Sequence, residues 1–243
     1  MAQAPLVPAT WQLPDYFRKR LGSTVGRQRF MEHDGHLLLV MHQVPLAGET
    51  TRRGVLFWRD AAGQWQASNG DPGKVAIANL LGKYERALEG YDQQEERAQR
   101  SDEYLPLLEG LAPIVRSTRN LHNVLQEARK VFPEIQELID VRDRAYELSR
   151  SAELLNQDAR NSMEVAVVRR AEEQALTSAR MEQASHRLNT LAAIFFPLAT
   201  LGAIFGTTLT DNWTWSHSPL PFVLFLITGS LLGILIALFI NRK

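Results

Sequence analysis

LNTLAAIFFPLATLGAIF occupies Leu188 to Phe205 and carries no charged side chain. At about 1.5 Å rise per residue, roughly 20 residues cross a hydrocarbon core of about 30 Å, and this stretch approaches that length. FVLFLITGSLLGILIALFI, from Phe222 to Ile240, does the same. The two predict an integral membrane protein with transmembrane helices over 188–206 and 221–240. Charge sets the orientation. Arg180 and Arg187 precede the first segment, Arg242 and Lys243 follow the second, and Gly206 to Pro221 holds no Lys or Arg. Positive residues stay inside, so the 207–220 loop is expected outside and both termini in the cytosol. Trp213 and Trp215 in that loop suit a membrane interface, where an indole buries its ring and wets its N–H.

Working upstream, no glycine and no proline lies between Pro133 and Pro197. One helix is therefore expected to run from the polar body into the membrane, with 133–187 as a stalk. The 63 residues from Glu134 to Phe196 would span roughly 95 Å at about 1.5 Å each. Leu148, Ala152, Leu155, Ala159, Met163 and Ala166 recur at spacings of three and four, followed by Leu176, Ala179 and Gln183. Such a stripe needs partner helices, expected from this chain lower down and from sister subunits near the membrane.

Residues 1–72 read as strands. RFMEH and HLLLVMHQV flank Asp34-Gly35, a pair suited to the positive φ angles of a type I′ hairpin, and GVLFWR and QWQAS suggest a second hairpin across Asp60 to Gly63. Four short strands make a small antiparallel sheet whose apolar face needs helices to cover it. Residues 73–132 supply them. The first is expected to be capped by Asp71 with Pro72 at its first position and to run to about Arg100. The next begins near Ser101 or Asp102, places Leu108, Leu111, Val115, Leu121, Leu125 and Ala128 on one side, and is expected to be interrupted by Pro113. The fold class is thus an α+β cytosolic domain with a very long stalk helix continuing into a two-helix transmembrane region.

Lys plus Arg and Asp plus Glu each total 27, so no net field favours nucleic acid as a partner. The chain has no cysteine, which excludes disulfides, thiolate zinc sites and thiol catalysis. MAQAPLVPATWQLPDYF lacks a basic leader and a continuous apolar core, so no signal peptide is expected. His33, His36 and His42 bracket a tight turn on alternating strand faces, which favours hairpin polarity over a metal site. Gly70-Asp71-Pro72-Gly73-Lys74 lacks P-loop spacing and reads as a helix-capping turn. Glu134, Glu137, Asp140 and Asp143 have helical spacing and read as a solvated face. No set of nucleophile, base and orienting group supports an enzyme.

SARMEQASHRLNTLAAIFFPLATLGAIFGTTL, Ser178 to Leu209, resembles the stalk end and first span of CorA-type magnesium transporters. Ile194-Phe195, Pro197-Leu198, Ile204 and Gly206 fall in the frame of the family pattern IFxPLTxxxGxxGMN. The family's Gly-Met-Asn signature is represented by Gly206-Thr207-Thr208, and the external loop carries one acid, Asp211. The resemblance implies a homopentamer in the cell membrane, the inner membrane of a bacterium, with the first span lining a central pore. Ala192, Ala199, Gly202, Ala203 and Gly206 give that span the small residues that let helices approach closely. Carried over by position, the pore face follows Ser185, Leu188, Ala192, Phe196, Ala199, Ala203 and Gly206, with Leu188 and Phe196 as apolar constrictions. Gly206, Thr207, Thr208 and Asp211 form the outer mouth. No cofactor is required; a divalent cation such as magnesium is the expected substrate or regulator. The alternative is a membrane effector or scaffold whose cytosolic domain senses a protein or small ligand and opens a nonselective pore or anchors an assembly.

Overall fold

The computed structural model describes residues 7–46, 48, 49, 51–205 and 219–240. Strands β1 (Arg29–His33), β2 (His36–His42), β3 (Gly54–Arg59) and β4 (Trp65–Ala67) form one antiparallel sheet in sequence order. The helices are α1 (Asp15–Arg18), α2 (Gly73–Arg97), α3 (Ser101–Val131), α4 (Glu137–Phe205) and α5 (Leu220–Ile240). Between β1 and β2, His33 faces His36, and the turn holds Asp34 at φ 47° and Gly35 at φ 75°. Both central residues thus take the left-handed conformation that this two-residue connection demands.

Every residue from Leu37 to His42 is buried, because the sheet is covered on both faces rather than one. Leu37, Leu39, Met41, Val55 and Phe57 point to a core completed by Leu80, Leu81, Tyr84, Leu111, Ile114, Leu121, Leu138 and Leu148 of the helices. Leu38, Val40, Leu56 and Trp58 point the other way, onto Trp11, Leu13 and Phe17. That N-terminal segment is tied down by Arg18, whose Nη2 donates to the Trp11 carbonyl at 2.7 Å and whose Nε donates to the Leu13 carbonyl at 3.1 Å. Trp11 and Trp58 pack ring to ring at 5.7 Å.

Two helix expectations need correction. The Asp71 side chain does not cap α2: its Oδ2 accepts from Asn69 Nδ2 at 2.7 Å, Pro72 occupies the N-cap, and the helix starts at Gly73 and ends at Arg97. Gly73 passes so close to β4 that a Cβ there would lie 1.8 Å from the Trp65 carbonyl oxygen. Nor does Pro113 interrupt α3, which runs unbroken through Pro106 and Pro113. Each proline removes one helical hydrogen bond, but eleven buried positions along α3, including Leu107, Leu111, Ile114 and Leu121, hold the helix against the core.

Contacts divide the chain into two units, Met1–Val168 and Arg169–Lys243. In the first, the α4 stripe packs inward: Leu148, Ala152, Leu155 and Ala159 are buried, with Met163 and Ala166 packed beside them. Polar ties fix this part of α4. Arg144 makes a two-pronged pair with Glu85 of α2, Arg119 of α3 pairs with Glu153 at 2.7 Å, and Ser162 Oγ donates to Glu95 of α2 at 2.7 Å. The Arg144 guanidinium holds the Glu85 carboxyl below its ordinary pKa. In the second unit, Leu176, Ala179 and Gln183 are exposed. Counting the described residues alone, no helix is long and apolar enough to cross a membrane. The described side chains of α4 end at Ala203 and those of α5 end at Leu238.

Candidate functional site

The second unit is built from the end of α4 and from α5, and two glycines decide how they meet. A Cβ on Gly233 would lie 3.0 Å from both the Cα and the carbonyl oxygen of Ile194, and one on Gly229 would lie 2.8 Å from Leu198 Cδ2. The backbones of the two helices therefore approach where α5 has no side chain, the geometry that small residues four apart permit. Gly229, Gly233 and Ala237 are buried. Opposite them, α4 contributes Ala193, Ile194, Pro197, Leu198 and Leu201, all buried or half-buried.

α4 has a second face here. At about 100° per residue, Ser185, Leu188, Ala192, Phe196, Ala199 and Ala203 fall on one side, roughly opposite the residues that meet α5. All six are exposed, with Leu188 at 66% and Phe196 at 74%. The structure thus brings these expected pore-face residues onto one uncovered stripe. The seventh, Gly206, lies outside the described residues, as do Thr207, Thr208 and Asp211 of the expected outer mouth, Trp213 and Trp215. Beside the stripe, Asn189, Ala192, Ala193, Phe196, Pro197 and Ile236 line an apolar groove of about 480 Å³.

Three threonines in these helices bond back to their own backbone. Thr190 Oγ1 donates to the His186 carbonyl at 3.0 Å, Thr200 Oγ1 to the Phe196 carbonyl at 2.8 Å, and Thr228 Oγ1 to the Leu224 carbonyl at 2.8 Å. Such back-bonding satisfies the donor of each of these three hydroxyls within its own helix. Around them, Leu191, Phe195, Val223, Leu224, Ile227, Leu231, Leu235 and Leu238 are exposed. An apolar surface this continuous is not normally left against water.

The weaker constellations resolve into local contacts. His33 Nε2 lies 3.2 Å from Asp34 Oδ2, His36 Nδ1 accepts from Trp58 Nε1 at 3.3 Å, and His42 Nε2 meets the Gly26 carbonyl at 2.9 Å. Among the described residues no three His, Asp or Glu side chains gather as metal ligands, Glu134, Glu137, Asp140 and Asp143 included. Sequence reasoning named no residue of α5 for its contact with α4. The signal was present in the four-residue spacing of Gly229-Ser-Leu-Leu-Gly233.

No family model matches the chain, and no curated protein matches it. Solved structures do. The chain is similar to the complete structure of the CorA magnesium transporter from Methanocaldococcus jannaschii, at 16% identity over 90% of this chain and 81% of that one, with a TM-score of 0.50. It is also similar to the full-length CmaX protein, at 12% identity over 94% of this chain and 83% of that one, with a TM-score of 0.57. Identities this low establish a shared fold: a small antiparallel sheet followed by long helices.

Proposed function

We propose that a chain with the fold of the CorA magnesium transporter and of CmaX works as a CorA-type cation channel. In this reading α4 and α5 span the cell membrane, a bacterial inner membrane, with both termini in the cytosol. Five copies surround a central pore that passes divalent cations, with poor discrimination, down their electrochemical gradient. One observation carries the reading: α5 takes one side of α4 and leaves the opposite side, Ser185 to Ala203, uncovered and lined with small residues interrupted by Leu188 and Phe196. In lipid a small-residue face is better packed against other helices than against acyl chains, and copies of this chain arranged about an axis supply them. In the sequence, Phe222 to Ile240 carries no charge, and at about 1.5 Å per residue its length approaches the roughly 30 Å of a hydrocarbon core. Leu188 and Phe196 then form apolar rings that gate by dewetting. The chain moves ions and transforms no substrate, and it requires no resident cofactor.

Ion flux into proteoliposomes tests this reading, with magnesium, cobalt, nickel, zinc, sodium and potassium compared under one set of conditions. Mass measurement in detergent tests the assembly. A stable monomer, or a dimer without a central axis, removes the pore.

A second reading draws on Gly206-Thr207-Thr208, which lacks the amide of the family's Gly-Met-Asn signature. It makes the protein an effector or scaffold, in which a ligand or protein bound by the cytosolic domain opens a nonselective pore or anchors an assembly. Conductance without any added ligand separates the two.

A further inference from the structure

In the first unit, the end of β2, the segment leading into β3 and the middle of α3 enclose a cavity of about 150 Å³. Its chemistry is one-sided. Arg52, Arg53 and Arg116 line it together with one carboxylate, Glu49, and with His42 and Ser117. Glu49 is already engaged: Oε1 lies 3.0 Å from Arg53 Nε and Oε2 accepts from the Leu46 N–H at 3.2 Å. Arg116 donates through Nε to the Ala112 carbonyl at 3.3 Å, and among the described residues no carboxylate pairs with Arg116 or Arg52. Some other arginines of this unit pair with acids, Arg100 with Asp102, Arg119 with Glu153, Arg142 with Asp143 and Arg144 with Glu85, whereas Arg18, Arg29 and Arg129 bond to backbone carbonyls. Arg52 and Arg116 thus bring two guanidinium groups without a carboxylate partner among the described residues into one recess.

The floor of the cavity is fixed. Tyr84 Oη reaches the carbonyls of His42 at 3.2 Å and Gln43 at 3.1 Å and lies 2.6 Å from Ser117 Oγ. Carbonyls only accept, so the phenol proton is placed toward them and the Ser117 hydroxyl donates to Tyr84. Gln28 Nε2 closes the network on the Ser117 carbonyl at 2.9 Å and on Ser117 Oγ at 3.1 Å. Burial raises the Tyr84 pKa to about 12, which keeps the phenol protonated. Arg52 lines the same cavity as His42, Gln43 and Ser117 of this network.

We propose that this cavity is a binding site for a small phosphate-bearing anion, held by Arg52 and Arg116 with Arg53 beside them. Guanidinium groups donate in pairs to phosphate oxygens, and the anion supplies the charge the recess lacks. The size agrees. At about 150 Å³ the cavity is large enough to admit an orthophosphate group. Such an anion bridges the segment before β3 to α3. The site stands whether or not the protein conducts ions.

The test is calorimetric titration of the full-length protein in detergent with inorganic phosphate and, separately, glycerol 3-phosphate, at ionic strength held constant with sodium chloride. Saturable binding to the wild type is expected, weakened on the order of tenfold or more by Arg52→Gln or Arg116→Gln. Arg119→Gln, which removes an exposed arginine paired with Glu153, is expected to bind as the wild type does. Tighter binding of glycerol 3-phosphate assigns the site to a phosphomonoester; equal or weaker binding assigns it to free phosphate. Where a Gln variant melts below the wild type without ligand, its Lys counterpart replaces it and is expected to bind with intermediate strength. The proposal is overturned by heats no larger than those of chloride, by variants that bind phosphate normally, or by equal loss in Arg119→Gln.

Discussion

Replacing Gly233 by alanine is expected to loosen the α4–α5 pair, whereas the same change at Gly229 is not. The added Cβ at 233 meets Cα and O of Ile194 at 3.0 Å, and both are backbone atoms. A contact of 3.0 Å is tighter than a Cβ normally makes, so the helices must part by a few tenths of an ångström, and main chain cannot rotate aside as the end of a side chain can. Overpacking of this kind costs about 1–3 kcal/mol. At 229 the obstacle is Leu198 Cδ2 at 2.8 Å, the free end of a side chain that can rotate away. Both changes gain the same helix propensity, up to about 1 kcal/mol, so that term cancels in the comparison. Gly233→Ala should therefore be less stable than Gly229→Ala by about 1–2 kcal/mol, measured by denaturant unfolding in detergent micelles followed by circular dichroism. Ile194→Ala should not rescue Gly233→Ala, because the clash is with main chain. Equal stability of the two variants, or rescue by Ile194→Ala, would refute the backbone contact.

Leu188→Ser or Phe196→Ser should raise resting ion flux while oligomer yield holds, because a hydroxyl ring keeps water in a segment that an apolar ring empties; intact oligomers with no extra leak in either variant defeat the gate. Thr208→Asn should raise magnesium flux relative to monovalent flux in proteoliposomes, and an unchanged ratio places selection elsewhere. Tyr84 has a folded-state pKa of about 12 against an ordinary 10.0, so its protonated form contributes stability that is full below pH 10 and lost as pH rises through 12. The difference is worth roughly 2.7 kcal/mol, and Tyr84→Phe should flatten the alkaline branch of a plot of stability against pH. His42 is held below its ordinary 6.5, by burial first and then by Arg52, against an opposing bond to Gly26. Its stabilising contribution is present above pH 6.5 and lost as pH falls toward the depressed value, so His42→Gln should flatten the acid branch of the same plot.

The hairpins were legible because Asp34-Gly35 readily takes the positive φ angles of a tight turn and the strand that follows is a run of long apolar residues. That the sheet would be covered twice was not. LLLVM says that both faces are apolar without saying what covers the second, and the segment holding Trp11, Leu13 and Phe17 has too little periodicity to announce itself. Pro113 misled because a helix-breaking preference of a few kcal/mol is outweighed by a long buried face, which local reading cannot weigh. Asp71 misled differently: Asn69, two residues away, takes its carboxylate. Toward the end of α4, the stripe from Ser185 to Ala203 came from the family resemblance, carried over by position, and a helix that turns each residue by a fixed angle keeps those positions on one side. Which side α5 would take depended on where two glycines pass a backbone, a tertiary fact visible in the sequence only as a spacing.

The two-sided sheet has a consequence for biosynthesis. Trp11, Leu13 and Phe17 leave the ribosome before the strands they cover, so Leu38, Val40, Leu56 and Trp58 find their partners waiting once β3 emerges. The other side has no such provision. Its cover extends along the chain to Ala159, and at about 5–20 residues per second the stretch from Ala67 to Ala159 takes roughly 5–20 s to make. Until α2, α3 and the first part of α4 have all been made, the cover over Leu37, Leu39, Met41, Val55 and Phe57 stays incomplete.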